Sequence, residues 1–171
     1  QLDSDEGLEL GGWNLDDVCV VANVRSVCGD GALTGAEQCD LGDGNRDVDF
    51  LGKKIVVRAE AGPEPVVIDC EASFTDRHRA FVFKSGEDAD SVLEGFTIRN
   101  GYTSPVPEVF GTIGGGAYCN GTSPTIRSCV FENNHAPFSG GGIGCVGGAP
   151  RIIDCVFRMN DAENGGGISI K

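Results

Sequence analysis

Basic side chains, aromatic rings and long apolar runs are all scarce in this sequence. Lysine and arginine number 13 against 26 aspartates and glutamates, so the formal net charge is −13, which argues against binding to nucleic acid or to anionic membrane surfaces. Aromatic residues make up 7% of the chain, and no apolar run reaches membrane-spanning length. The sequence also has no Ser-His-Asp order, nucleophile elbow or phosphate-binding loop.

Glycine and cysteine, by contrast, are abundant, with 27 and 8 residues in a chain of 171, long enough for one domain with a small appendage. No Cys-x-x-Cys pair is present, so zinc is not indicated, and the cysteine density favours an oxidising, extracellular location. No signal peptide is visible, and a start at Gln1 fits a secreted chain after signal removal. The sequence stops at Lys171 inside a new repeat, which leaves a longer chain or a following subunit open.

A tandem repeat dominates the C-terminal half. Glycine triplets begin at positions 114, 140 and 165, at spacings of 26 and then 25 residues. A fixed period in the twenties is typical of solenoid folds. The matching positions, all at an offset of 26, are Cys119/Cys145, Pro124/Pro150, Ile126/Ile152, Cys129/Cys155, Phe131/Phe157 and Asn134/Asn160.

The repeat extends further towards the N-terminus. Residues 91–100 match residues 124–133 at an offset of 33, and the extra residues form an insertion at 102–112. Strand-like runs at 54–58, 66–70 and 80–83 carry the pattern back to about residue 51, which predicts four to five coils.

This pattern predicts an all-β parallel β-helix over residues 49–171. No helix-length segment separates the strands, so each must pair with the strand one period later, ~4.8 Å along the axis. Identical residues then stack, and Asn134 over Asn160 can form an amide ladder at a turn.

Residues 1–48 are predicted to form a small cysteine-containing N-terminal cap. Asn14 could cap a helix over residues 14–28, although five valines there leave a strand open. The CGDG and GAEQCD runs around Cys28 and Cys39 resemble a short cysteine-rich module of secreted multidomain proteins, which implies a disulfide-stapled spacer. This sequence inserts Ala36 and lacks the downstream cysteines of that module.

Several cysteine pairings are compatible with this fold. We expect Cys28–Cys39 as one bridge and Cys19–Cys70 as the remaining N-terminal pair. Three alternatives stay open for the other four residues: bridges between coils (Cys119–Cys145 and Cys129–Cys155), bridges within coils (Cys119–Cys129 and Cys145–Cys155), or columns of inward-facing free thiols.

The glycine triplets and the run Phe131-Glu132-Asn133-Asn134 resemble the GGA[ILVY] and FxxN repeats of polymorphic outer-membrane proteins. More widely, residues 45–171, roughly three quarters of the chain, resemble bacterial secreted proteins with pectin-lyase-like β-helix repeats. The resemblance implies a right-handed helix, secretion and often surface or adhesive roles, but no activity by itself.

The densest ionisable cluster lies between two predicted strands. Polysaccharide lyases and hydrolases of the resembled fold use carboxylates and a basic residue, which makes Asp69, Asp76 and Arg79 the candidate catalytic set. No second carboxylate cluster recurs one coil later, so an exposed polar loop is the favoured reading. The whole cluster consists of Asp69, Glu71, Asp76, Arg77, His78 and Arg79.

Two further motifs have local interpretations. Asp43, Asn45, Asp47 and Asp49 alternate like the first ligands of a calcium loop, but Val48 and Lys54 replace its glycine and glutamate. The stretch is thus either a site for one calcium ion or a turn that leads into the first strand. No other cofactor is expected. Residues 120–122 form a glycosylation sequon at Asn120.

The sequence as a whole predicts a non-catalytic extracellular protein with a structural or adhesive role. We expect head-to-tail association into a surface filament, through an open edge at Gly165, Gly166, Gly167, Ile168 and Ile170. The alternatives are a polysaccharide-active enzyme, or a module binding cell-surface carbohydrate or protein through the insertion at 102–112.

Overall fold

The computed structural model describes residues 20–21, 46–59, 65–104 and 112–171. Within these ranges every regular element is a β-strand, in keeping with the β-branched runs and the closely spaced turn residues.

The strands fall into four rows in chain order. The first row contains β2 (Val48–Asp49), β3 (Val56–Ala59) and β4 (Val66–Asp69), and the short β1 (Val20–Val21) precedes it. The second row contains β5 (Phe81–Phe83), β6 (Val92–Glu94) and β7 (Phe96–Arg99). The third contains β8 (Ala117–Asn120), β9 (Thr125–Arg127), β10 (Val130–Glu132) and β11 (His135–Ser139). The fourth contains β12 (Ile143–Val146), β13 (Arg151–Ile153), β14 (Val156–Arg158) and β15 (Asp161–Asn164), and β16 (Ile168–Ile170) follows it.

Every strand pairs in parallel with a strand of the neighbouring row. The first sheet has the order β1-β3-β6-β9-β13, the second β4-β7-β10-β14 and the third β2-β5-β8-β12-β16, while β11 and β15 form a small fourth sheet. The predicted all-β parallel β-helix is therefore confirmed as a parallel β-solenoid. The described residues form about three turns, where the sequence predicted four to five coils.

The register of the sheets reproduces the sequence repeat. Ile126 pairs with Ile152 and Phe131 with Phe157, at the offset of 26. Leu93 pairs with Ile126, at the offset of 33. Positions that match in the sequence therefore lie above one another.

The corners between sheets repeat as well, which explains the recurring glycine and asparagine. The corner before the third sheet has a left-handed glycine in successive rows, where any other residue would be strained. Left-handed residues at equivalent corners are Gly114, Gly140 and Gly165; Gly95, Ser128 and Asp154; and Asn100, Asn133 and Met159.

Side chains fill the interior of the solenoid as one continuous core. Ile98 and Phe131 are fully buried, and the parallel rings of Phe131 and Phe157 lie 5.3 Å apart between centroids. Each such buried side chain contributes roughly 1.5–3 kcal/mol to the free energy of folding. The interior of the solenoid is therefore packed with side chains.

The N-terminal region departs from the helical prediction. Residues 20–21 form β1 and pair with β3, so at these two residues the strand alternative is the one present and the helix is not. The other residues of the predicted cap up to position 45 lie outside the described ranges. The division predicted between residues 48 and 49 falls within β2.

Candidate functional site

The densest group of ionisable side chains gathers around His78. Its Nδ1 lies 2.7 Å from Asp47 Oδ2, and its Nε2 lies 2.9 Å from Asp76 Oδ1. Arg46 donates to the other oxygen of Asp76 at 2.7 Å, and the backbone N–H of Arg79 donates to Asp47 at 3.3 Å. Hydrogen bonds from Arg46 and then His78 lower the pKa of Asp76. Both imidazole nitrogens are therefore engaged by carboxylates.

The three candidate catalytic residues do not share one contact network. Asp69 Oδ2 accepts a hydrogen bond from Arg99 Nε at 2.7 Å, and no hydrogen bond or ion pair within the described residues joins Asp69 to Asp76. Arg79 is linked to Asp76 through the cluster just described. Its guanidinium is buried 5.1 Å from the centroid of the Tyr118 ring, and this burial lowers the pKa of Arg79.

Two of the four predicted calcium ligands are described, and protein donors contact both. Asp47 contacts His78, whereas Asp49 accepts a hydrogen bond from the Leu51 N–H at 2.8 Å and lies 3.6 Å from Lys84 Nζ. Asp43 and Asn45 lie outside the described residues, so calcium binding stays a prediction. Among the residues that the structure describes, no group of three or more His, Cys, Asp or Glu could hold a metal ion.

Every cysteine in the described part of the chain is a free thiol. Cys119 and Cys145 are register partners in β8 and β12, with both side chains buried in the core. Register-matched parallel strands make disulfide dihedrals awkward, while a buried thiol packs as a small apolar group. The free-thiol alternative is therefore the one present. The structure shows none of the bridges predicted for Cys70, Cys119, Cys129, Cys145 and Cys155, and Cys19, Cys28 and Cys39 lie outside the described residues.

In each stacked pair of cysteines, one thiol has a raised pKa and the other a lowered pKa. A hydrogen bond between the two sulfurs raises the pKa of Cys129 and lowers that of Cys155 to about 7. The same interaction raises the pKa of Cys119 and lowers that of Cys145. Cys155 is also partly exposed, unlike the other described cysteines, so we expect it to be the most reactive thiol among them.

Asn134 occupies a fully buried corner between the second and fourth sheets. Its Nδ2 donates to the Ile98 carbonyl at 3.0 Å, and its Oδ1 accepts from the Gly101 N–H at 2.9 Å. One row later, Asn160 Nδ2 donates to the Phe131 carbonyl at 2.8 Å. The asparagine side chains therefore bond to backbone groups on either side of this corner.

The β16 end of the solenoid is more exposed than the row beneath it. Cys145 is fully buried, whereas its register partner Ile170 is 63% exposed. β13, β14 and β16 are the last strands of their sheets within the described residues. The predicted assembly edge from Gly165 to Ile170 lies at this end.

A column of alternating charge runs along the second sheet, and we call it the charge column. Its members are Asp69, Arg99, Glu132 and Arg158, one in each row. Arg99 contacts Asp69 at 2.7 Å, and Arg158 contacts Glu132 at 2.6 Å. This column was not predicted from the sequence, although the opposite charges of Arg99, Glu132 and Arg158, at the repeat offsets of 33 and 26, are a signal that could have revealed it.

The sequon residue Asn120 is exposed at the end of β8, while Thr122 of the same sequon is buried and donates to the Phe83 carbonyl at 3.1 Å. Glycosylation stays a prediction. No helix long and apolar enough to span a membrane occurs in the described ranges.

Comparisons of this chain with protein-family models, curated proteins and solved structures gave no match. The resemblance to polymorphic outer-membrane and pectin-lyase-like repeats thus rests on sequence motifs alone, while the structure supports the broader class of parallel β-solenoids.

Proposed function

We propose that this chain is a non-catalytic structural or adhesive protein of the cell surface, a subunit of an assembly in which solenoids stack end to end. The features that support this role lie at the two ends of the described solenoid.

Each of the three long sheets has one terminal strand at either end. The first sheet ends at β1 and β13, the second at β4 and β14, and the third at β2 and β16. Unpaired strand edges accept further strands from another chain. In a head-to-tail contact, β13, β14 and β16 of one copy would face β1, β4 and β2 of the next. Such a heterologous contact repeats without closing and produces a filament.

The observation that carries the proposal is the charge column. Its signs alternate from Asp69 at the first row to Arg158 at the fourth. Head-to-tail stacking would place Asp69 of one copy beside Arg158 of the next and so continue the alternation, whereas a contact between two β14 edges would oppose two arginines. Opposite charges on neighbouring strands stabilise pairing, and like charges destabilise it.

The extracellular location rests on cysteine density and on the motif resemblance. The free thiols of the described residues add no support to it.

Size-exclusion chromatography with light scattering, run at increasing protein concentration, tests the assembly. We expect the mean molecular mass to rise with concentration. It should fall at high salt, because salt screens the attraction of the exposed Arg158 for a carboxylate of the next copy. Arg158→Glu should reduce association.

Arg127→Glu is the matched control. Like Arg158, Arg127 pairs with a glutamate one row earlier, Glu94 at 2.8 Å, but it lies inside the stack. A monomer at every concentration would contradict the proposal, as would equal association of the two variants.

The second candidate is a polysaccharide-active enzyme using Asp69, Asp76 and Arg79, of which Asp76 and Arg79 belong to the cluster around His78 and Asp69 does not. Incubation with acidic polysaccharides and calcium, followed by detection of new unsaturated ends, tests that activity. If activity is found, Asp76→Asn should abolish it, and activity that survives this substitution does not come from the His78 cluster.

A further inference from the structure

A cavity of about 340 Å³ opens beside the His78 cluster, and we propose that it binds a small organic molecule through a single carboxylate group. This inference is independent of head-to-tail assembly, because the cavity contains no member of the charge column. Its volume lies at the lower end of the range for small-molecule sites, ~300–1,000 Å³.

The cavity is locally cationic within a strongly acidic chain. Arg77, Arg79 and Lys84 line it together with one carboxylate, that of Asp47. Lys84 also lies 3.6 Å from Asp49, just outside the lining. The lining therefore attracts an anion locally, although the chain as a whole carries a net charge of −13.

Arg77 is the cation best placed to engage a ligand. Its Nη1 donates to Ser104 Oγ at 3.2 Å, and its Nε donates to the Phe74 carbonyl at 2.9 Å. The guanidinium also lies 5.1 Å from the centroid of the Phe74 ring. These partners are neutral, so they fix the orientation of Arg77 without neutralising its charge. A guanidinium held in this way matches the planar fork of a carboxylate.

Thr103 forms part of the cavity wall. It is 2% exposed, and its N–H donates to the His135 carbonyl at 3.1 Å, which holds its backbone in place. Its Oγ1 has no hydrogen-bond partner within the described structure and is closed to solvent, so a molecule in the cavity does not reach it. The unpaired hydroxyl lowers the stability of the fold, and ligand binding is assigned to Arg77 instead.

The planar shape of a carboxylate decides the ligand class. Its two oxygens pair with two N–H groups of one guanidinium, and Arg77 is oriented to offer such a pair. Nearby carboxylates limit the positive charge of the site, since Asp47 lies in the lining and Asp76 and Asp49 contact the lining residues His78 and Lys84. The class we assign is therefore a small monocarboxylate.

Titration with succinamate and with succinamide tests the assignment, because these molecules differ by one carboxylate and are close in size. ¹H–¹⁵N NMR is suited to a chain of 17.8 kDa, and the amides of Arg77, Thr103 and Ser104 provide a local readout. We expect saturable shifts at these amides with succinamate, and much weaker ones with succinamide and with inorganic phosphate. Equal binding of succinamate and succinamide, tighter binding of phosphate, or shifts without saturation would overturn the proposal.

Two variants separate the site from general charge effects. Arg77→Gln should weaken succinamate binding by about tenfold or more, as expected for loss of a charge-assisted hydrogen bond. Arg127→Gln removes the same charge at a residue outside the cavity lining and should leave binding unchanged. Thr103→Val should also leave binding unchanged while raising the melting temperature of the free protein, since it removes an unpaired buried hydroxyl that the ligand does not reach. Unaltered affinity in Arg77→Gln would refute the site.

Discussion

Asn134 and Asn160 are joined directly across neighbouring rows of the solenoid, with Asn134 Nδ2 donating to Asn160 Oδ1 at 3.0 Å. The backbone N–H of Asn134 donates to the same oxygen at 3.1 Å. Asn160 Oδ1 therefore accepts hydrogen bonds from both the main chain and the side chain of Asn134, one row earlier.

Replacing Asn134 with alanine should be strongly destabilising. Asn134→Ala removes the partners of the Gly101 N–H and the Ile98 carbonyl, both at a buried corner. Each buried polar group left unsatisfied costs about 1–3 kcal/mol, so we expect a total loss of about 3 kcal/mol in urea unfolding. Asn164→Ala is the control, because Asn164 is exposed and its side chain donates to the Phe138 carbonyl alone among the described residues. Similar losses in both variants would contradict the role assigned to Asn134.

The glycine triplets should tolerate no side chain at their central position. A Cβ at Gly115 would lie 2.6 Å from the His135 carbonyl oxygen and would also collide with the Gly141 oxygen. We expect Gly115→Ala to lower the free energy of unfolding by about 3 kcal/mol or more. Gly121→Ala provides the comparison, because a Cβ there meets open space and only the left-handed backbone at φ 64° is strained. Gly121→Ala should cost about 1 kcal/mol. Thermal unfolding measures both variants, and a larger loss in Gly121→Ala than in Gly115→Ala would contradict the prediction.

Cys155 should be alkylated by iodoacetamide faster than the other described cysteines at neutral pH. Its pKa is about 7, so the thiolate, which is the reactive form, predominates above that pH. Cys129→Ala removes the sulfur that lowers this pKa, and the midpoint of the rate profile should move up towards 9.0. At pH 7 the rate should fall about fivefold, since the remaining thiolate is scarcer but more nucleophilic. Mass spectrometry of modified peptides measures the rates, and Cys119→Ala should leave the Cys155 profile in place.

Met159 is a site for stabilisation. It is 79% exposed and has φ 55° at the corner where Asn100 and Asn133 lie in earlier rows. Asparagine adopts left-handed backbone more readily than methionine, so Met159→Asn should raise the free energy of unfolding by about 0.5–1 kcal/mol. Met159→Leu, which keeps an apolar residue at the same φ, should change it little. A chemical denaturation series that ranks leucine above asparagine would count against this view of the corner.

The register of the sheets could be predicted because the sequence repeat is also the spatial repeat. Ile126 and Ile152 are 26 residues apart and are register partners, so the offset alone identifies the contact. The same logic places Leu93 on Ile126. No repeat covers residues 14–28, so propensity alone left both a helix and a strand open there, and residues 20–21 form a strand.

The cavity could not be predicted in this way. Arg77 and Ser104 are 27 residues apart, and His78 and Asp47 are 31 residues apart. Neither separation equals the repeat offset of the strands on either side of these residues. Such contacts depend on how two loops pack against each other, which no offset specifies. The cysteine pairing was also undetermined, because the thiol column and the bridges between coils require the same spacing.

The alternation of the charge column constrains how the length of this solenoid can change. Deleting the row that carries Glu132 would bring Arg99 against Arg158, while duplicating that row would set two glutamates side by side. Loss or gain of two rows together preserves the sequence of signs. Duplication and deletion of repeats in such a chain should therefore be accepted most readily in pairs, so that lengths differing by an even number of rows accumulate during its evolution.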